Sequence, residues 1–144
     1  MIAADEASEK VKCGWIRAWM MFEVLATNED TTKKSLEELL SKLDNDLRAK
    51  MYKREFGELC RVEKPMKNIE IGYSLTSEIE LVSKNLDNIM QLVTEYGPSA
   101  IEVLEPKKIS IDAGEAQNIL NSVSHIMHQF AAAGAGGMVL VRGK

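Results

Sequence analysis

At 144 residues the chain has the length of one domain, and a hydrophobic content of 45% excludes a disordered polymer. A formal net charge of −4 gives no general attraction to nucleic acid or to an anionic membrane. Cys13 and Cys60 stand far apart without a Cys-x-x-Cys motif, and no apolar run approaches membrane-spanning length.

Residues 1–11 are small and charged and lack the apolar centre of a signal peptide, so they are expected as a flexible N-terminal arm. Residues 12–144 are expected as a single α+β domain, cytoplasmic and with reduced thiols. Trp15 to Ala26 predicts a long strand with Ile16, Ala18, Met20, Phe22 and Val24 on one face. The opposite face carries Trp15, Arg17, Trp19, Met21, Glu23 and Leu25. Tryptophans there call for a covering element or a second subunit. Two aromatics flanking an arginine could also stack on bases, although the acidic chain favours packing against protein.

Asn28 to Thr32 opens a helix, with Glu29 and Asp30 suited to its first turn. Leu36, Leu39, Leu40, Leu43 and Leu47 form its apolar stripe. Glu38 with Lys42, Asp44 with Arg48, and Asp46 with Lys50 are spaced as solvated ion pairs. From Lys50 to Val62 the pattern suits an edge strand guarded by charges. Arg48, Lys50, Lys53 and Arg54, interleaved with Tyr52 and Phe56, would alternatively make a small nucleic-acid patch. Pro65 is expected to break this run. Ile69 to Ser83 holds two alternating runs, read as one or two strands. Asn85 caps a short helix bearing Leu86, Ile89, Met90, Val93 and Tyr96, which Gly97 and Pro98 end. Ile101 to Leu104 predicts a strand.

The last third is dominated by a helix opened by Asp112, with Glu115 at the capping-box spacing. Ala116, Ile119, Leu120, Val123, Ile126, Met127 and Phe130 form a core-facing stripe. Gln117, Asn118, Asn121, Ser122, His125, His128 and Gln129 occupy the other side, polar but without a fixed charge. Such a face suits half-burial against a partner or ligand, since amides and imidazoles are satisfied by hydrogen bonds without the desolvation cost of a charge. Gly134 is expected to stop this helix. The run from Gly134 to Gly137 follows a helix rather than preceding one, so it suits a turn and not a phosphate cradle. Met138 to Val141 predicts a last short strand.

The order strand, helix, strand, strand, helix, strand matches the split βαβ arrangement. The expected fold is therefore α+β, a ferredoxin-like βαββαβ antiparallel sheet with an added C-terminal helix and short strand.

Leu92 to Pro106 contains Tyr96-Gly97-Pro98 and then Ala100-Ile101-Glu102-Val103-Leu104-Glu105-Pro106. This stretch, about a tenth of the chain, resembles the closing helix and strand of the C-terminal extension of WYL-type bacterial regulators. That extension is itself ferredoxin-like, so the resemblance implies the same fold and a regulatory role. The Trp-Tyr-Leu signature is absent, and no functional residue carries over.

His125 and His128 are the chain's histidines, and at three residues apart on a helix they can face one ligand. A metal would need further ligands from elsewhere. No nucleophile elbow, Walker loop or zinc-protease motif occurs, and Cys60 has only Arg61 beside it to lower its pKa. No cofactor is expected. The expected function is a non-enzymatic binding or regulatory module, a homo-oligomer assembled through sheet and helix faces. Its binding or interface residues would be Asn118, Asn121, His125, His128, Trp15 and Trp19, with a small molecule as a possible ligand. The alternatives are a metal-dependent enzyme using His125 and His128, and a nucleic-acid-binding domain using Trp15, Arg17, Trp19 and the Arg48 to Arg54 cluster.

Overall fold

A computed structural model describes residues 1–133. Where the sequence suggests one domain from residue 12 onward, the contacts group the chain into two compact units, Met1–Ile109 and Ser110–Lys144. The first unit is built on strand β1 (Ile16–Ala26). Its even-numbered residues Ile16, Ala18, Met20 and Phe22 are buried, because strand geometry sends alternate side chains to one face.

Helix α2 (Glu29–Asp44) follows, its first turn satisfied by Asn28, whose side chain accepts from the Thr31 N–H at 2.8 Å. Leu36, Leu40 and Leu43 bury its stripe against the sheet. The stripe stops there. Leu47 lies beyond the helix and is 89% exposed. The Asn45 amide turns back on the Ser41 carbonyl, and Asp46 accepts from the Arg48 N–H, so local side-chain bonds end the helix. The expected helical pairs Asp44–Arg48 and Asp46–Lys50 are therefore not formed as such.

Strands β2 (Ala49–Phe56) and β3 (Cys60–Met66) run one after the other along the same side of β4 (Ile69–Ser83), which pairs with β1 on its other side. Pro65 does not end β3. It sits inside the strand, at the register irregularity between Glu63 and Met66, where a missing N–H costs nothing. Gly72 faces it, where an added Cβ would come within 2.9 Å of the Pro65 ring. The two alternating runs expected between Ile69 and Ser83 are one strand. Ser77 is the polar residue that interrupts the apolar set, and it is fully buried with its hydroxyl donating to the Glu55 carbonyl at 2.7 Å.

Helix α3 (Leu86–Tyr96) is capped by Asn85 and ended by Gly97, whose φ of 62° is open to glycine without strain. Strand β5 (Ala100–Glu105) returns to the free side of β1. Every pairing is antiparallel, and the order is β2-β4-β1-β5 with β3 beside β4. Ile89, Leu92 and Tyr96 of α3 join the α2 leucines in one core on the Ile16–Phe22 face, so both helices cover the same side.

Residues 1–11, expected as a flexible arm, hold helix α1 (Ala4–Lys12). Ala7 is fully buried, α1 touches β2 and β4, and Arg17 donates to the Ser8 hydroxyl at 3.1 Å. The small side chains that suggested a loose segment are what allow this close approach.

The described part of the second unit is helix α4 (Ala113–Ala132), opened by Asp112, which accepts from the Glu115 N–H at 2.8 Å. Ala133 is its C-cap. The expected stop at Gly134, the glycine turn and the strand from Met138 to Val141 lie outside the described residues. Ile119, expected deep in a core, is half-buried, and Leu120, Val123, Met127 and Phe130 are 42–64% exposed.

Candidate functional site

The second face of the sheet is set by β1. Trp19 lies opposite Glu80 on β4 and Glu102 on β5, Met21 opposite Glu78, and Arg17 opposite Glu105. On β2, Lys53 and Glu55 pair with Glu80 and Glu78. The face thus carries several glutamates, and two of its cations, Lys53 and Arg17, are engaged. Lys53 Nζ lies 3.4 Å from Glu80 and 3.7 Å from Glu55. The Arg17 guanidinium stacks over the Tyr52 ring at 5.0 Å, and its Nε lies 3.5 Å from Glu105. That separation makes an ion pair but no aligned hydrogen bond, so the buried Nε keeps its hydrogen unpaired. Tyr52, then the nearby glutamates, hold Arg17 above its ordinary range against the opposing effect of burial. Tyr52 in turn donates to Glu80 at 3.1 Å.

Trp19 is half-buried at a pocket of about 40 Å³ shared with Lys53, Glu55, Glu78 and Glu80. That is far below the several hundred Å³ of a small-molecule site. Trp15 lies just outside β1 under Lys10, whose Nζ sits 4.5 Å from the ring centroid. A polyanion would meet carboxylates here, with Arg17 and Lys53 already paired to them. The Arg48 to Arg54 cluster is dispersed in the same way. Arg48 pairs with Asp46 and Glu95, and Arg54 lies over Phe56.

Arg48 belongs to a cluster the sequence did not reveal. Its Nε and Nη2 grip Asp46 at 2.9 and 2.7 Å, and Nη2 also bonds Glu95. The Tyr96 hydroxyl donates to Asp46 at 2.8 Å. The Arg48 bonds hold Asp46 well below the usual carboxylate range. Burial, then Asp46, pushes Tyr96 up to about 12. A general acid or base works best when poised near the working pH. These groups are driven away from it, and they join the end of α2 and the start of β2 to α3. The arrangement is a clasp. Asp46 and Tyr96 are 50 positions apart, so no local pattern could have paired them.

On α4, Asn118, Asn121, His125 and His128 are all exposed, and Gln117 donates to Asn121 at 3.3 Å along the helix. Among the described residues no cluster of three or more histidine, cysteine or acidic side chains is placed to hold a metal, so nothing there adds a ligand to the histidine pair. The stripe on the other side is also exposed in the single chain, at Leu120, Val123, Met127 and Phe130.

Fold and surfaces together define an α+β protein with an antiparallel five-stranded sheet and four helices among the described residues, one of them a solvent-exposed amphipathic helix. The chain belongs to the MJ0538 family, whose sequence profile matches residues 17–142. No curated protein and no solved structure matches it. The family match runs from β1 past α4, so it spans both units. No helix among the described residues is long and apolar enough to cross a membrane.

Proposed function

We propose that the protein is a non-enzymatic binding or regulatory module that works as a homo-oligomer. The observation that carries this reading is the apolar row of α4, left in water by the single chain. Burying it would release roughly 25 cal/mol for each Å² of apolar surface, which ordinary solvated helices have no need to recover. The uncharged polar side of the same helix, with Asn118, Asn121, His125 and His128, would then face a small ligand. On the first unit, taken by itself, Trp15 and Trp19 are read as interface residues of the sheet.

The first unit is read as ferredoxin-like. The β2-β4-β1-β5 order, with α2 and α3 over one face, supports that reading, and it agrees with the local resemblance to the WYL-regulator extension. The compartment is read as cytoplasmic, since Cys13 and Cys60 are exposed and unpaired, as thiols are kept in a reducing environment. Light scattering across a wide concentration range tests self-association. A mass above that of the single chain is expected, and a 16.1 kDa species at every concentration would overturn the reading.

A further inference from the structure

We propose that α4 pairs antiparallel with α4 of a second copy of this chain, through the seam of Ala113, Ala116, Leu120, Val123, Met127 and Phe130. The inference rests on the self-association just proposed and specifies its geometry. The six positions are separated by three, four, three, four and three residues, the heptad spacing of a two-helix seam. A row at that spacing fits the holes of a second helix, and the proposed occupant is therefore a helix. The four large residues of the seam are those that the chain exposes, at 64, 43, 42 and 50% for Leu120, Val123, Met127 and Phe130.

Charge selects a second copy. Partner choice in such pairs is set by the flanking positions. Here those positions are Gln117, Ser124, Ile119 and Ile126, and no Asp, Glu, Lys or Arg occurs between Glu115 and Arg142. A charged partner helix would find nothing to pair with, whereas an identical helix meets no repulsion.

Residue size selects the direction. The seam is small at its start, with Ala113 and Ala116, and large at its end, with Met127 and Phe130. A parallel pair would stack Phe130 on Phe130 and leave a gap between alanines. An antiparallel pair sets Ala113 against Phe130, Ala116 against Met127, and Leu120 against Val123, so every layer has similar volume. The two-fold axis makes the contact self-complementary and closes the assembly at a dimer. Asn121, His125 and His128 fall outside the seam.

Two measurements on the full chain test this. Light scattering should give a dimer for the wild type and for His125→Glu. Leu120→Glu, which buries an unpaired charge at the centre, should weaken association by about 100-fold or more, with circular dichroism showing the first unit still folded. Oxidative cross-linking in a Cys13→Ser, Cys60→Ser background then reads direction. An equal mixture of Ala116→Cys and Met127→Cys chains should give a covalent heterodimer. Neither variant should cross-link alone, because in the antiparallel register two copies of position 116 lie about 16 Å apart along the axis. Cross-linking of Ala116→Cys with itself would overturn the antiparallel register. A wild-type dimer that survives Leu120→Glu but not His125→Glu would overturn the seam and leave self-association standing. A wild-type monomer at all concentrations would overturn both.

Discussion

Asp46 shows how one side chain can hold two helices and a strand in register. It accepts from the Arg48 backbone and guanidinium and from the Tyr96 hydroxyl while its side chain is 11% exposed. Hydrogen bonds to a charged acceptor contribute about 1.5–3 kcal/mol each before the cost of desolvation. Asp46→Asn keeps the shape and removes the charge, and should lower unfolding stability by about 1–3 kcal/mol in urea titration. The pH dependence follows from the sign of the shift. The folded state holds Asp46 below its unfolded value, near 3.9, so its contribution is complete above about pH 4 and is lost as acid protonates the folded carboxylate. The acid limb of the stability profile should therefore flatten in Asp46→Asn. Tyr96 acts at the other end. Its pKa, raised to about 12 from an ordinary value near 10, gives a contribution complete below about pH 10 and lost as pH approaches 12. Tyr96→Phe should remove that alkaline loss. An unchanged alkaline limb would mean that Tyr96 does not donate to Asp46.

Among the elements, α2 and α3 carry the covering layer, and each depends on a few positions. Leu40 is fully buried at the centre of the α2 stripe. Leu40→Ala should cost about 2–5 kcal/mol, read as a lower denaturation midpoint, and a cost under about 1 kcal/mol would show that the stripe is misplaced. At the end of α3, Gly97 adopts a left-handed backbone with nothing near its missing Cβ. Gly97→Ala should therefore cost about 1 kcal/mol from backbone strain alone, without any clash. The long β4 strand shows the limit of periodicity. Its alternation passes through Ser77, and only the Glu55 carbonyl on the neighbouring strand makes a buried serine acceptable there.

For the whole molecule, the core of the first unit is drawn from residues of that unit. Its buried residues end at Tyr96, and the outermost apolar side chain packed on them is Ile109. A chain ending at Ile109 should fold cooperatively, with a melting temperature within a few degrees of that of the full chain, and should be monomeric. Loss of cooperative unfolding in that fragment would show that the first unit depends on the second. Retained self-association would place the interface outside α4.

The sequence alone determined the elements whose cause is local. The β1 alternation, the caps at Asn28, Asn85 and Asp112, and the left-handed stop at Gly97 are read from a few neighbouring residues, because hydrogen bonds and backbone angles act over one turn. The α+β class follows from their order. The end of the α2 stripe was less legible, because leucine spacing carries on to Leu47 while Asn45 and Asp46 turn the chain away. For α1, a short polar sequence says nothing of the sheet surface that fixes it. Tertiary structure alone decided what each face meets. It spent the cations around Trp19 on glutamates, brought Tyr96 to Asp46, and left the α4 stripe in water. An apolar stripe encodes that a surface should be buried, but the partner that buries it depends on contacts between residues far apart in the chain or on another chain altogether.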